Sequence, residues 1–124
     1  MPVIATTKLW ETEDVQEFLW GLVKVNQAQM RRGLVPRSGL YQSGVRYQAE
    51  PLGSEVWQTA KEVYSHRVAD CEDLVALRCA ELLMAGQDVS PYVKDVRPGL
   101  RHCLVRHASG ALECPSRTLG MGKG

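Results

Sequence analysis

No run in this chain approaches the roughly 18 apolar residues that a bilayer-spanning helix needs, so no passage through a membrane is expected. Met1 to Trp10 holds one lysine and no sustained apolar stretch, and so lacks the charged, apolar and small-residue zones of a signal peptide. The expected address is a cytoplasm, or a particle assembled in one. Charge of one sign is equally scarce. Fifteen basic and 14 acidic residues leave a net charge of +1, which supplies no general attraction to nucleic acid or to anionic lipid. Neither a specific nucleic acid nor a membrane is expected as a partner. The cysteines Cys71, Cys79, Cys103 and Cys114 form no Cys-x-x-Cys pair, and in a reducing compartment they are expected as thiols. Cys71, His102, Cys103 and Cys114 carry atoms suited to zinc, but the short paired spacing of structural zinc sites is missing, so no metal and no cofactor is expected. No internal repeat is visible.

What is present is the composition of a globular protein, 44% hydrophobic and 23% charged, in 124 residues. That length supports a single core, read as one domain over 1–124 with a helical extension at 1–33 and a tail at 115–124. Val15, Phe18, Leu19, Leu22 and Val23 recur at helical spacing and predict a helix over about 13–32, with Thr12 as N-cap and Gly33 as the stop. Trp10 and Trp20 fall outside that stripe and read as packing against a neighbouring segment, with a docking surface as the alternative. Residues 34–56 carry Pro36, Gly39, Gly44, Pro51 and Gly53 and read as an irregular connection around a short extended Val45-Arg46-Tyr47. Thr59-Ala60-Lys61-Glu62 has the outline of a capping box and opens a short helix to Ser65.

A third helix is capped by Asp70 and stopped by Gly86, and its Leu74, Leu77, Ala80, Leu82, Leu83 and Met84 make it apolar nearly all round, which suits the middle of a domain. Strands follow at 89–96, interrupted by Pro91, then at 100–107 and, after the Ala108-Ser109-Gly110 turn, at 111–114. Helices first and an antiparallel sheet afterwards give an α+β class.

Cys71 is the strongest chemical candidate. The start of a helix exposes its sulfur to unpaired N–H groups and the positive end of the helix dipole, which favours thiolate. Asp70, Glu72 and Asp73 oppose this with negative charge, and a protonated imidazole nearby would settle the contest toward thiolate. Asp70 and Asp73 also suit a reciprocal cap, each reaching toward the other's end of the first turn. His102, 31 residues downstream in a strand expected to pack beside the helix, is the candidate base. His66 and His107 read as solvent-facing.

These residues resemble the transglutaminase-like superfamily, which shares the papain-like cysteine protease fold. Thr59 to Leu74 and the helix to Gly86 look like its signature, a Gly-Asp-Cys-x-Asp turn leading into an Ala/Leu-rich helix. Leu100-Arg101-His102-Cys103-Leu104-Val105 resembles its histidine strand, and Glu113-Cys114-Pro115-Ser116 its closing Asp-Pro-Ser/Thr. Small phage-encoded members are most similar, through Leu40-Tyr41-x-x-Gly44-Val45-x-Tyr47 and the ending Leu119-Gly120-Met121. The likeness covers about residues 40–121 and leaves the first helix outside.

The resemblance implies N-terminal helices and a central nucleophile helix packed on a small antiparallel sheet. It makes Cys71 the nucleophile and His102 the base of acyl transfer through a thioester, ending in peptide or amide hydrolysis or in crosslinking. The backbone N–H of Cys71 would help form the oxyanion hole, with Tyr41, Gln42 or Trp57 as the side-chain donor. Ala69 replaces the usual Gly, and Cys114 replaces the Asp that orients the histidine. Loss of that acid costs about 10⁴ in rate in a comparable triad. Glu113 substitutes if an even hairpin loop places it on the face of His102, and the apolar alternation of Cys103, Val105, Leu112 and Cys114 favours that loop.

Two functions follow. One is cysteine-dependent acyl transfer on a protein or peptide substrate. The other is a catalytically impaired module of the same scaffold that binds partner proteins in a phage particle.

Overall fold

The computed structural model describes residues 3–4, 11–49, 56–97 and 100–121. A short strand β1 at Val3–Ile4 precedes the long helix α1 at Thr12–Arg31. The cap of α1 is Glu11, not Thr12: Glu11 and Asp14 form a reciprocal capping box, with the Glu11 N–H donating to Asp14 Oδ2 at 3.2 Å. Thr12 instead donates through Oγ1 to Asp95 at 2.7 Å. The other end closes as expected. Gly33 takes φ +73°, which lets Leu34 N–H return to the Gln29 carbonyl at 3.0 Å.

Val15, Leu19, Leu22, Val23 and Met30 of α1 are buried, and Trp20 is half-buried against the core, so packing accounts for it. Trp10 lies outside the described residues. The connection that follows α1 holds a 3-10 turn at Leu40–Gln42 and the strand β2 at Arg46–Tyr47. Beyond it come β3 at Val56–Trp57, which pairs antiparallel with β1, and helix α2 at Ala60–His66. The expected capping box at Thr59 and Glu62 is formed. Helix α1 assists it: Asn26 Oδ1 and Gln29 Oε1 accept from the free N–H groups of Ala60 and Lys61 at 2.7 and 2.9 Å. Arg67, in the left-handed region at φ +66°, turns the chain from α2 into β4 at Val68–Ala69, which runs parallel to β2.

Helix α3 spans Cys71–Met84, and its Leu74, Val75, Ala76, Leu77, Cys79 and Ala80 are fully buried. It packs between α1 and an antiparallel sheet of β5 at Val89–Arg97, β6 at Leu100–His107 and β7 at Leu112–Glu113, in the order β5-β6-β7. The class is therefore α+β, with the apolar helix in the centre. Pro91 does not break β5. As an edge strand β5 tolerates the missing N–H, and Gln16 of α1 covers that edge by donating to the Pro91 carbonyl and accepting from Val93 N–H at 3.1 Å.

The expected tail is packed over much of its length. Pro115–Thr118 forms a short helix α4, Leu119 is buried, and the Leu119 carbonyl accepts from Tyr47 N–H at 3.0 Å. Residues 122–124 lie outside the described set. No helix among the described residues is long and apolar enough to cross a membrane.

Candidate functional site

Asp70 fixes where α3 begins. Its Oδ1 accepts from Asp73 N–H at 3.2 Å, so Cys71 is the first helical residue. Asp73 does not complete a reciprocal cap. Its fully buried carboxylate accepts from Gln58 N–H at 2.8 Å and from the Gln58 side-chain amide at 3.2 Å, clamping the segment before α2 to the start of α3. Gln58 in turn donates to the Val68 carbonyl at 3.0 Å and meets His66 Nδ1 at 2.5 Å. Gln58 is thus a positioning residue that carries no local sequence signal, because its partners come from other elements. Ala69, which precedes the Asp70 cap, sits in extended β4 opposite Tyr47, a conformation that does not require glycine.

The Cys71 thiol donates to Glu72 Oε2 at 3.4 Å, and the ligand atoms of Cys71, Glu72 and Cys103 all lie within 4.8 Å of one another. Its hydrogen bond with Cys103 pushes the Cys71 thiol well up from its ordinary value, and burial and the charges of Glu72 and Asp70 act in the same direction. Helix-dipole stabilisation of thiolate is outweighed, and the sulfur is a neutral thiol at neutral pH. Asp70 is also pushed up, first by burial and then by the neighbouring Glu72 and Asp73.

His102 lies across from Lys94 on β5, and its Nε2 is 3.2 Å from Cys114 Sγ. Burial lowers its pKa, and the positive charges of Arg117 and Lys94 add to this, so the ring is neutral at neutral pH. Strand alternation sets His102 and Cys103 on opposite faces of β6. Cys103, 1% exposed, shares the inner face with Val93 and Val105, and it is this residue that meets Cys71. Among the described residues no hydrogen bond joins Cys71 to His102.

The hairpin loop is odd, which corrects the expected placement of Glu113. Gly110 takes φ +93° and His107 N–H reaches the Ala111 carbonyl at 2.9 Å, so Ala108, Ser109 and Gly110 alone form the turn. Glu113 then stands opposite Val105 on the inner face, and the next residue, Cys114, falls on the face of His102. Glu113 accepts from Arg78 Nε at 2.6 Å and from Tyr41 OH, and contacts His107 Nε2 at 2.9 Å. Burial raises its pKa, but the hydrogen bonds from Tyr41, Arg78 and His107 outweigh that and hold it below the usual carboxylate range. His107 is therefore half-buried and paired rather than solvent-facing.

The oxyanion-donor candidates separate in the same way. Tyr41 is engaged with Glu113 and lies under the Arg78 guanidinium, 4.4 Å from the ring centroid. Trp57, 2% exposed, packs edge-on against Phe18 in the core. Gln42 is exposed at the end of the 3-10 turn.

In comparisons with known proteins, no family model, no curated protein and no solved structure matches the chain.

Proposed function

We propose that the chain is a transglutaminase-like module with an impaired acyl-transfer centre, acting as a structural or interaction component among partner proteins, as in a phage particle. One observation carries this reading: the Cys71 thiol engages Glu72 and Cys103, while the His102 ring engages Cys114. A nucleophilic cysteine needs a base that removes its proton and an acid that orients the base. Here the nearest polar partners of the thiol are a carboxylate and a second thiol, both of which favour retention of the proton. The reading is supported by a helix lying on an antiparallel sheet and by the order Cys71, His102, Cys114 along the chain, which is the order of the signature that the sequence resembles, with a thiol in place of the acid.

The alternative is cysteine-dependent acyl transfer or amide hydrolysis through Cys71 and His102. It is favoured by Cys71 occupying the first position of α3, where its N–H lacks an intrahelical partner and suits an oxyanion. The two readings are separated by incubating the reduced protein with p-nitrophenyl acetate and locating thioester by mass spectrometry. The impaired module leaves Cys71 unacylated above the level of a denatured control. Acylation of Cys71 that disappears in His102→Ala establishes the enzyme instead.

A further inference from the structure

Three side chains at the start of α3 and in the middle of β6 form a constellation in which Cys71 is joined by two groups, Glu72 and Cys103, that acyl transfer does not use. Cys71 and Glu72 come from the first helical turn, and Cys103 comes from the adjacent strand. Their ligand atoms lie within 4.8 Å of one another, and the Cys71 Sγ to Glu72 Oε2 separation is 3.4 Å. In a tetrahedral zinc site, metal–sulfur bonds of about 2.3 Å and metal–oxygen bonds of about 2.0–2.2 Å set neighbouring ligand atoms about 3.5–3.8 Å apart. The cluster is therefore within about 1 Å of the required spacing, with the Cys71–Glu72 pair already at it. Cys103 is fully buried, while Cys71 and Glu72 are partly open, which leaves a route for an ion.

We propose that Cys71, Glu72 and Cys103 bind one thiophilic divalent cation of the zinc class, with the fourth position left to solvent or to a group from a partner. Two thiolates and a carboxylate are a soft donor set that selects zinc over magnesium or calcium. On binding, two sulfur–metal bonds and one oxygen–metal bond form, and the two thiol protons pass to the buffer. Asp70 caps the first turn of α3 by accepting from Asp73 N–H at 3.2 Å, which fixes the turn that carries both Cys71 and Glu72. The two cysteine ligands are 32 residues apart in sequence, so the site has no short paired Cys spacing by which to be seen. This inference does not rest on the proposed function, since a metal-holding cluster and the fate of an acyl donor are measured separately.

The test uses the full chain, stripped with chelator and kept reduced, titrated with Co²⁺ and then with Zn²⁺. One cobalt per chain is expected, with a near-ultraviolet sulfur-to-metal charge-transfer band that Zn²⁺ abolishes. Cys71→Ser and Cys103→Ser should each weaken Zn²⁺ binding at least tenfold in a chelator competition, and Cys79→Ser and Cys114→Ser should leave it unchanged. Because Cys103 is buried, circular dichroism confirms folding, and Glu72→Gln, which keeps both thiols, should also weaken binding about tenfold. The proposal is overturned if the folded wild type shows no stoichiometric cobalt band. It is also overturned if Glu72→Gln and Cys71→Ser bind as tightly as wild type, or if binding depends on Cys114.

Discussion

Cys114 Sγ stands 3.2 Å from His102 Nε2, on the same face of the sheet. A thiol leaves the ring neutral, and burial already holds its pKa below the usual histidine value. Cys114→Asp should raise the His102 midpoint, because an anion within hydrogen-bond reach favours imidazolium. Titration of the ring proton by NMR reads this directly, and an unmoved midpoint would show that position 114 does not govern His102.

The Asp73 and Gln58 pair is a structural clamp. Asp73→Ala leaves the buried Gln58 N–H and side-chain amide without their acceptor and should destabilise the fold by about 1–3 kcal/mol. Urea unfolding measures it. A loss below a few tenths of a kcal/mol would contradict a clamping role.

Glu113 belongs to a network with Tyr41, Arg78 and His107 rather than to His102. Glu113→Ala should therefore lower stability by about 1–3 kcal/mol, since Arg78 and Tyr41 lose a partner, and should leave the His102 midpoint unchanged. A shifted His102 midpoint with unaltered stability would restore Glu113 as the orienting acid.

Asp70 gives the fold a pH dependence of definite sign. Burial, Glu72 and Asp73 raise its pKa above 3.8 in the folded chain, so the folded state keeps a proton that the unfolded state releases. Its full stability is present below that ordinary value and declines as pH rises above it. Asp70→Asn retains the capping oxygen without the charge. Relative to wild type it should be more stable at neutral pH, and the advantage should vanish near pH 4. Equal pH profiles for the two proteins would contradict the assignment.

Helices were legible in the sequence because their signals are local. The stripe from Val15 to Val23, the Thr59–Glu62 box and the Asp70 cap each lie within a few residues of the element they define. The α1 cap falls one residue before Thr12, the preferred cap type, because a long-range bond to Asp95 takes the Thr12 hydroxyl and Glu11 forms the box with Asp14 instead. The face of Glu113 was not legible. It depends on whether Gly110 closes an odd loop, and Leu112, half-exposed in the structure, lends the strand an apolar alternation that does not mark an inner face. The neighbours of Cys71 were hidden for a related reason. A shift of one residue along β6 decides whether Cys103 or His102 meets it, and periodicity alone does not fix that register.

The most direct measurement is the rate at which iodoacetamide alkylates Cys71 at neutral pH in reduced, metal-free protein, resolved by peptide mass spectrometry and compared with free cysteine. A thiol held by Glu72 and Cys103 should react more slowly than free cysteine, and His102→Ala should not change its rate. Alkylation faster than free cysteine that collapses in His102→Ala would contradict the impaired centre and establish Cys71 as an activated nucleophile.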